Sequence, residues 1–280
     1  MMMTEIRIRC TANANRSAVA KNFMKMYVGL TVSNFKSSEQ VAMKTISIFF
    51  LSMFASMHCL VSTTPELSME EEKLISNVQN CIANAQLGKS GLPKKVLEID
   101  GMSSDKVRHL LNNLCALPNT SYLEIGVWKG STWISALYGN SNVITSAVAI
   151  DDWSEFNAPK KEFFKNISKF LRSRVGRFYS ENAFDLCKDQ IFKKPVTTYF
   201  YDGNHSALSQ ELAFTYYNDV LDDVFVAIVD DWNFYEVPLG TYAAFDKLGY
   251  TILYEMILPA GYNGDRDNWW NGLYVAVIRK

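Results

Sequence analysis

Residues 121–132 read Ser121-Tyr122-Leu123-Glu124-Ile125-Gly126-Val127-Trp128-Lys129-Gly130-Ser131-Thr132. The short apolar run Ser121 to Ile125 is a strand by length and by its Tyr, Leu and Ile content. Gly126 permits a tight turn off that strand, and Gly130 lets the chain enter a helix at Ser131. A helix start presents unpaired backbone N–H groups and the positive end of a dipole. A strand, a glycine turn and a helix in this order are the first unit of an α/β sheet that binds a ligand at the carboxyl ends of its strands.

Beyond this unit, strands and helices alternate. Strands are predicted at 143–150, 175–180, 196–201 and 224–229, and helices at 131–138, 159–172, 183–190, 208–217 and 240–248. Two more strands, 250–258 and 273–278, follow with no helix between them, so one of the pair runs antiparallel. The expected fold is α/β: a Rossmann-like, seven-stranded, mostly parallel sheet with an antiparallel last strand and helices on both faces.

Upstream, Leu67 to Leu87 has helical spacing in Leu74, Ile75, Val78 and Ile82, with Ser68 and Glu71 as a capping box. A second helix spans Ser103 to Leu117, with Val107, Leu110, Leu111 and Leu114 on one face. Residues 67–117 are therefore read as N-terminal helices packing at the edge of the domain that occupies 118–280.

Residues 1–66 read as a presequence. The first forty-odd are basic and lack an amphipathic period. Lys44 then precedes the apolar run Ile46 to Val61, so that 44–62 has the outline of a signal peptide or anchor. The run is short for a membrane span, which needs about 20 residues; a buried or surface-docked helix is the other reading. Membrane association through 46–61 is the consequence if it acts as an anchor. The domain is then expected in the cytoplasm, or membrane-anchored or exported if 44–62 is a signal.

Composition narrows the partners. The 280 residues hold 28 basic and 29 acidic side chains, a net charge of −1, so no global basic surplus favours nucleic acid. The five cysteines, Cys10, Cys59, Cys81, Cys115 and Cys187, are scattered and form no CxxC pair, which argues against a zinc ribbon or disulfide framework. A small molecule or sugar is the expected partner, and an oligomer is compatible with the sequence.

Site residues are expected at the strand ends. The E-x-G-x-x-x-G spacing lacks the third glycine of a dinucleotide site, which disfavours a nicotinamide oxidoreductase. S-adenosylmethionine carries a sulfonium, an amine and a carboxylate but no phosphate, and Glu124 suits the methionine portion. Gly126, Gly130 and Ser131 line the turn. Asp151, with Asp152 beside it, is placed to accept from ribose hydroxyls after strand two. Asn182 and Ala183 follow strand three and suit an adenine edge. The bland alternative leaves these acids as solvated loop residues.

Strand four ends in Tyr201-Asp202-Gly203-Asn204-His205, and strand five in Val229-Asp230-Asp231-Trp232. Three carboxylates, Asp202, Asp230 and Asp231, converge there and repel unless a hard cation such as magnesium relieves them. His205 stands where it can take a hydroxyl proton. Asp-Gly-Asn is also ordinary turn chemistry, and Asp202 can serve as a helix cap. Trp128, Trp153 and Trp232 follow strand ends, and Trp269 and Trp270 lie between the last two strands; they offer flat faces to a ligand or pack beneath loops.

The motifs at 124–130, 202–205 and 230–231 together resemble class I S-adenosylmethionine-dependent methyltransferases, and most the metal-dependent macrocin O-methyltransferase, or methyltransferase-24, type. The resemblance covers 118–280. It implies magnesium on Asp202, Asp230 and Asp231, His205 as the base, and metal-assisted O-methylation of a hydroxylated small molecule or sugar. The longer N-terminal domain that caps sugar substrates in the macrolide enzymes is not found. A catalytically silent S-adenosylmethionine- or glycan-binding module is the alternative, and a non-haem iron hydroxylase lacks its second histidine.

Overall fold

The computed structural model describes residues 65–171 and 176–280. The presequence and the apolar segment 44–62 lie outside them. Among the described residues no helix is long and apolar enough to cross a membrane.

The helices are α1 (Met69–Gln86), α2 (Lys94–Leu97), α3 (Asp105–Cys115), α4 (Ser131–Leu137), α5 (Lys160–Phe170), α6 (Lys188–Ile191), α7 (Ala207–Thr215) and α8 (Glu236–Leu248). The strands are β1 (Ser121–Ile125), β2 (Ser146–Ile150), β3 (Gly176–Tyr179), β4 (Val196–Tyr201), β5 (Leu221–Val229), β6 (Thr251–Leu258) and β7 (Leu273–Arg279). They form one seven-stranded sheet in the order β3-β2-β1-β4-β5-β7-β6. β7 is antiparallel to both of its neighbours, and the others run parallel. This is the Rossmann-like arrangement expected from the alternation.

The central strands are buried on both faces, as parallel strands are when helices cover each side. Every residue of β1 is buried. One apolar layer joins α1, α3 and α4 to the sheet through Val78, Leu110, Trp133 and Val275. The opposite layer joins α7 and α8 through Phe214, Ala244 and Phe245. The N-terminal helices thus lie on a face of the sheet, not at its edge. The Ser68–Glu71 capping box forms at 2.8 and 3.2 Å. Arg279 at the end of β7 donates to Glu71 at 3.0 Å, tying α1 to the sheet. Arg108, 2% exposed, donates to the Leu97 and Ile99 carbonyls and fixes the α2–α3 connection.

Several boundaries differ from the sequence reading. The helix expected over 183–190 shrinks to Lys188–Ile191. Asn182 Oδ1 accepts from the Phe184 N–H at 2.9 Å, and the carbonyls of Ala183 and Leu186 accept from the Tyr217 and Tyr216 hydroxyls, so this backbone is committed to a turn. β2 begins at Ser146 because the Asn140 carbonyl takes the N–H groups of Val143 and Ile144 in a turn. Helix α8 begins at Glu236, four residues early, with Pro238 in the first turn, where its missing N–H costs nothing.

Candidate active site

A cleft of about 1170 Å³ opens across the carboxyl ends of β1, β2, β4 and β5, where the strand order reverses on either side of β1. Its size is above the roughly 300–1,000 Å³ typical of small-molecule pockets. Five non-glycine residues on its walls, Trp128, Trp153, Phe156, Asp231 and Trp270, have φ between 43 and 60°. Such left-handed backbone costs about 1–3 kcal/mol per residue and persists where the surroundings enforce it.

The glycine turn is built by the sheet. Gly126 has φ +84°, and a Cβ there would lie 1.9 Å from the Asp202 carbonyl oxygen. The Asp202 N–H in turn donates to the Ile125 carbonyl at 2.9 Å. The end of β1 is therefore pressed against the end of β4, and Gly126 is required by that contact before any ligand is considered. Gly130 caps α4 at φ +84° with Phe163 3.0 Å from its Cβ position. Ser131 is buried and turned toward Ser103 and Gly101, away from the cleft.

Glu124 is fully buried behind the cleft wall and does not line it. Its carboxyl accepts from the Tyr122 hydroxyl at 2.7 Å and the Thr132 hydroxyl at 2.5 Å. Burial raises its pKa to about 8, against the lowering effect of both hydrogen bonds. Expected beside a methionine amine, its carboxyl instead faces Tyr122 and Thr132.

Asp151 lines the cleft, but its carboxylate is used by the chain. Oδ2 accepts from the Val127 and Trp128 N–H groups, both at 2.8 Å, and Oδ1 from Trp153 at 2.7 Å. It shapes the turn that the sequence reading gave to the ligand. Asp152 is exposed on the cleft wall and accepts from Ser154 at 2.9 Å. Asn182 and Ala183 also line the cleft.

The polar centre lies between β4 and β5. Asp202, His205 and Asp231 bring one potential ligand atom each within 4.8 Å of one another. His205 Nε2 lies 2.5 Å from Asp231 Oδ2, and its ring stacks on Phe234 at 5.1 Å. The hydrogen bond to Asp231 raises the His205 pKa, and the charges of Asp231 and Glu155 add to it against desolvation. Burial holds the Asp202 carboxyl well above the usual carboxylate range, with the charges of Asp230 and Asp231 adding to the shift. Asp230 is 2% exposed, does not line the cleft, and accepts the Asp231 N–H at 3.0 Å. The groups close enough to hold a cation together are Asp202, His205 and Asp231; Asp230, expected among them, is buried off the cleft wall, near enough for its charge to act on Asp202.

Asn271 is a site residue that the sequence reading missed. Its Nδ2 donates to Asp231 Oδ1 at 2.5 Å, and its Oδ1 accepts from the Gly264 N–H at 2.7 Å. The β6–β7 loop that carries it is pinned by buried Asp265, which accepts from Gly261, Asp267 and Asn268. Of the five tryptophans that follow strand ends or lie in the last loop, Trp128, Trp153 and Trp270 line the cleft. Trp232 stacks on Tyr274 at 4.2 Å, and Trp269 is 3% exposed. The available sequence signal was position: Asn271 directly follows the two tryptophans of the last loop.

No family model matches the chain, and no curated protein matches it. Among solved structures, the chain is similar to the O-methyltransferase from Bacillus cereus in complex with S-adenosylhomocysteine: 13% identity, 82% of this chain and 97% of that one, TM-score 0.45. It is similar to the O-methyltransferase TomG from Streptomyces achromogenes, involved in tomaymycin synthesis and in complex with S-adenosylmethionine: 15% identity, 76% and 100% covered, TM-score 0.44. It is also similar to the S-adenosylhomocysteine-bound Podospora anserina methyltransferase PaMTH1: 10% identity, 89% and 99% covered, TM-score 0.45. Identity this low assigns no activity to this chain.

Proposed function

We propose that this protein is an S-adenosylmethionine-dependent methyltransferase that methylates a hydroxyl oxygen of a small molecule. The observation that carries the reading is the His205–Asp231 pair, 2.5 Å apart, on the wall of the cleft at the strand ends. The cofactor half lies over β1–β3, where Asp152, Asn182 and Ala183 face the opening and the glycine turn lets the chain pass without a side chain. When bound, S-adenosylmethionine supplies a sulfonium methyl group that a nucleophilic oxygen displaces.

The chain's own work is to orient and deprotonate that oxygen. Asp231 holds His205 through Nε2, and Asn271 holds Asp231. Nδ1 of His205 is then the group that takes the hydroxyl proton, and the carboxylate of Asp231 stabilises the resulting imidazolium. Aromatic walls at Trp128, Trp153 and Trp270 exclude water.

A second reading, in which His205 ligates a cation instead of acting as the base, is favoured by the clustering of Asp202, His205 and Asp231. Two carboxylates and an imidazole suit a divalent cation, magnesium or a transition metal. Such an ion would relieve the buried Asp202 carboxyl and lower the pKa of a bound hydroxyl as a Lewis acid.

Titration calorimetry with S-adenosylhomocysteine, followed by methyl transfer from labelled cofactor to a panel of phenols and sugars with and without EDTA, tests the reading. Micromolar binding and methylated product are expected. A folded protein with no affinity for S-adenosylhomocysteine refutes the function, and full turnover in EDTA removes the cation.

A further inference from the structure

We propose that the acceptor half of the cleft takes a flat ring compound bearing a positive charge, such as a phenolic amine, and rejects phosphate- and carboxylate-bearing molecules. The inference rests on the methyltransferase reading for the word acceptor, but its charge argument stands on the cleft alone.

Among the described residues, the walls of the cleft carry seven carboxylates and neither lysine nor arginine. On the β5 side these include Asp231 and Glu236, and the charge of Glu155, from the loop after β2, adds to that around His205. Three cations among the described residues sit on the cleft's tryptophans without lining it. Lys129 lies over Trp128 at 4.1 Å and pairs with Asp100 at 2.6 Å. Lys160 lies over Trp153 and donates to Ser180, and Arg266 lies over Trp270.

Three backbone donors that an anion could use are also taken. The first N–H of α7, at Ala207, donates to Glu236 Oε2 at 3.0 Å. The N–H groups of Val127 and Trp128 in the glycine turn donate to Asp151. Helix starts and glycine turns are the usual phosphate-binding places of an α/β sheet, and here both hold one of the chain's own carboxylates. A phosphate or carboxylate entering the acceptor half at the start of α7 would displace the Ala207–Glu236 hydrogen bond and meet like charge on the walls.

What the same half does offer is aromatic. Trp270, Phe234 and Tyr235 line it beside these carboxylates, and Tyr235 is 80% exposed. Aromatic faces next to carboxylates attract a desolvated ammonium through both ring quadrupole and charge. A cleft lined by one sign of charge also concentrates ligands of the other sign.

The test uses three ligands with one phenol ring and one chain length: tyramine, 4-ethylphenol and 3-(4-hydroxyphenyl)propionate. Their dissociation constants are measured on the full chain by tryptophan fluorescence, with and without saturating S-adenosylhomocysteine. Tyramine is expected to bind about tenfold or more tighter than the propionate, with 4-ethylphenol between and the gap closing at high salt. Glu236→Gln, on the β5 side of the cleft, should narrow the gap. Equal or tighter binding of the propionate, or no binding of tyramine at millimolar concentration, overturns the proposal. If the order holds but S-adenosylhomocysteine does not bind, the charge preference stands and the methyltransferase reading fails.

Discussion

A Cβ atom on Gly126 would lie 1.9 Å from the carbonyl oxygen of Asp202. The glycine that marks the turn after β1 is thus fixed by the neighbouring strand β4, and through it the two halves of the cleft share one backbone contact. Gly126→Ala should destabilise the protein with or without ligand, by at least about 2 kcal/mol from left-handed backbone and overlap together. Gly139→Ala is the control: its φ is +78°, but no atom lies within 4 Å of its Cβ position. It should cost about 1 kcal/mol. Thermal melting of both variants checks the difference, and equal losses would refute the contact.

Asp151 and Asp152 should separate stability from ligand binding. Asp151→Ala removes the acceptor of three backbone N–H groups. It should lower the melting temperature and weaken S-adenosylhomocysteine together, because charge-assisted bonds are worth about 1.5–3 kcal/mol each. Asp152→Ala should weaken S-adenosylhomocysteine with little change in melting, since its carboxylate engages only the exposed Ser154. Calorimetry paired with melting curves distinguishes the two.

Buried Glu124 should make stability fall as pH rises. Its pKa in the fold is about 8, against an ordinary value of 4.5, so the folded state favours the protonated form. Its contribution is fully present below about pH 4.5 and is lost as pH rises through about 8. Glu124→Gln stays neutral throughout. Denaturant titrations between about pH 5 and about pH 9 should show the variant gaining on the wild type by up to about 4 kcal/mol. Parallel curves would mean that Glu124 is ionised in the fold.

His205→Ala should retain S-adenosylhomocysteine and lose about 10²–10⁴-fold in turnover of a confirmed substrate. Asn271→Ala removes the amide that donates to Asp231. It should lower kcat about tenfold or more with KM for the cofactor unchanged, because the Asp231–His205 pair loses its fixed position. Steady-state kinetics with both substrates varied checks this, and a change confined to KM would make Asn271 a binding residue instead.

The order of elements was legible in the sequence. Strands such as Ala147–Ile150 and Phe225–Val229 are continuous apolar runs because both faces of a parallel sheet are covered, and the unbroken 250–278 pair declared its antiparallel partner. Local signals of this kind depend on neighbours in the chain, and the capping box at Ser68 formed as read. The positions of the site residues were legible too, since strand ends are sequence features: Asp152, Asn182, Asp202, His205 and Asp231 all reach the cleft. What each side chain does there was decided only by tertiary contacts. Asp151 was claimed by backbone from the turn after β1, Glu124 was sealed behind β1, and Asp230 was buried off the cleft wall. Asn271 entered the site from a loop 40 residues after Asp231. A carboxylate in a sequence carries its charge, but its partners come from strands brought together by the sheet. Whether it faces a ligand or the chain is therefore fixed by packing across distances that no local pattern records.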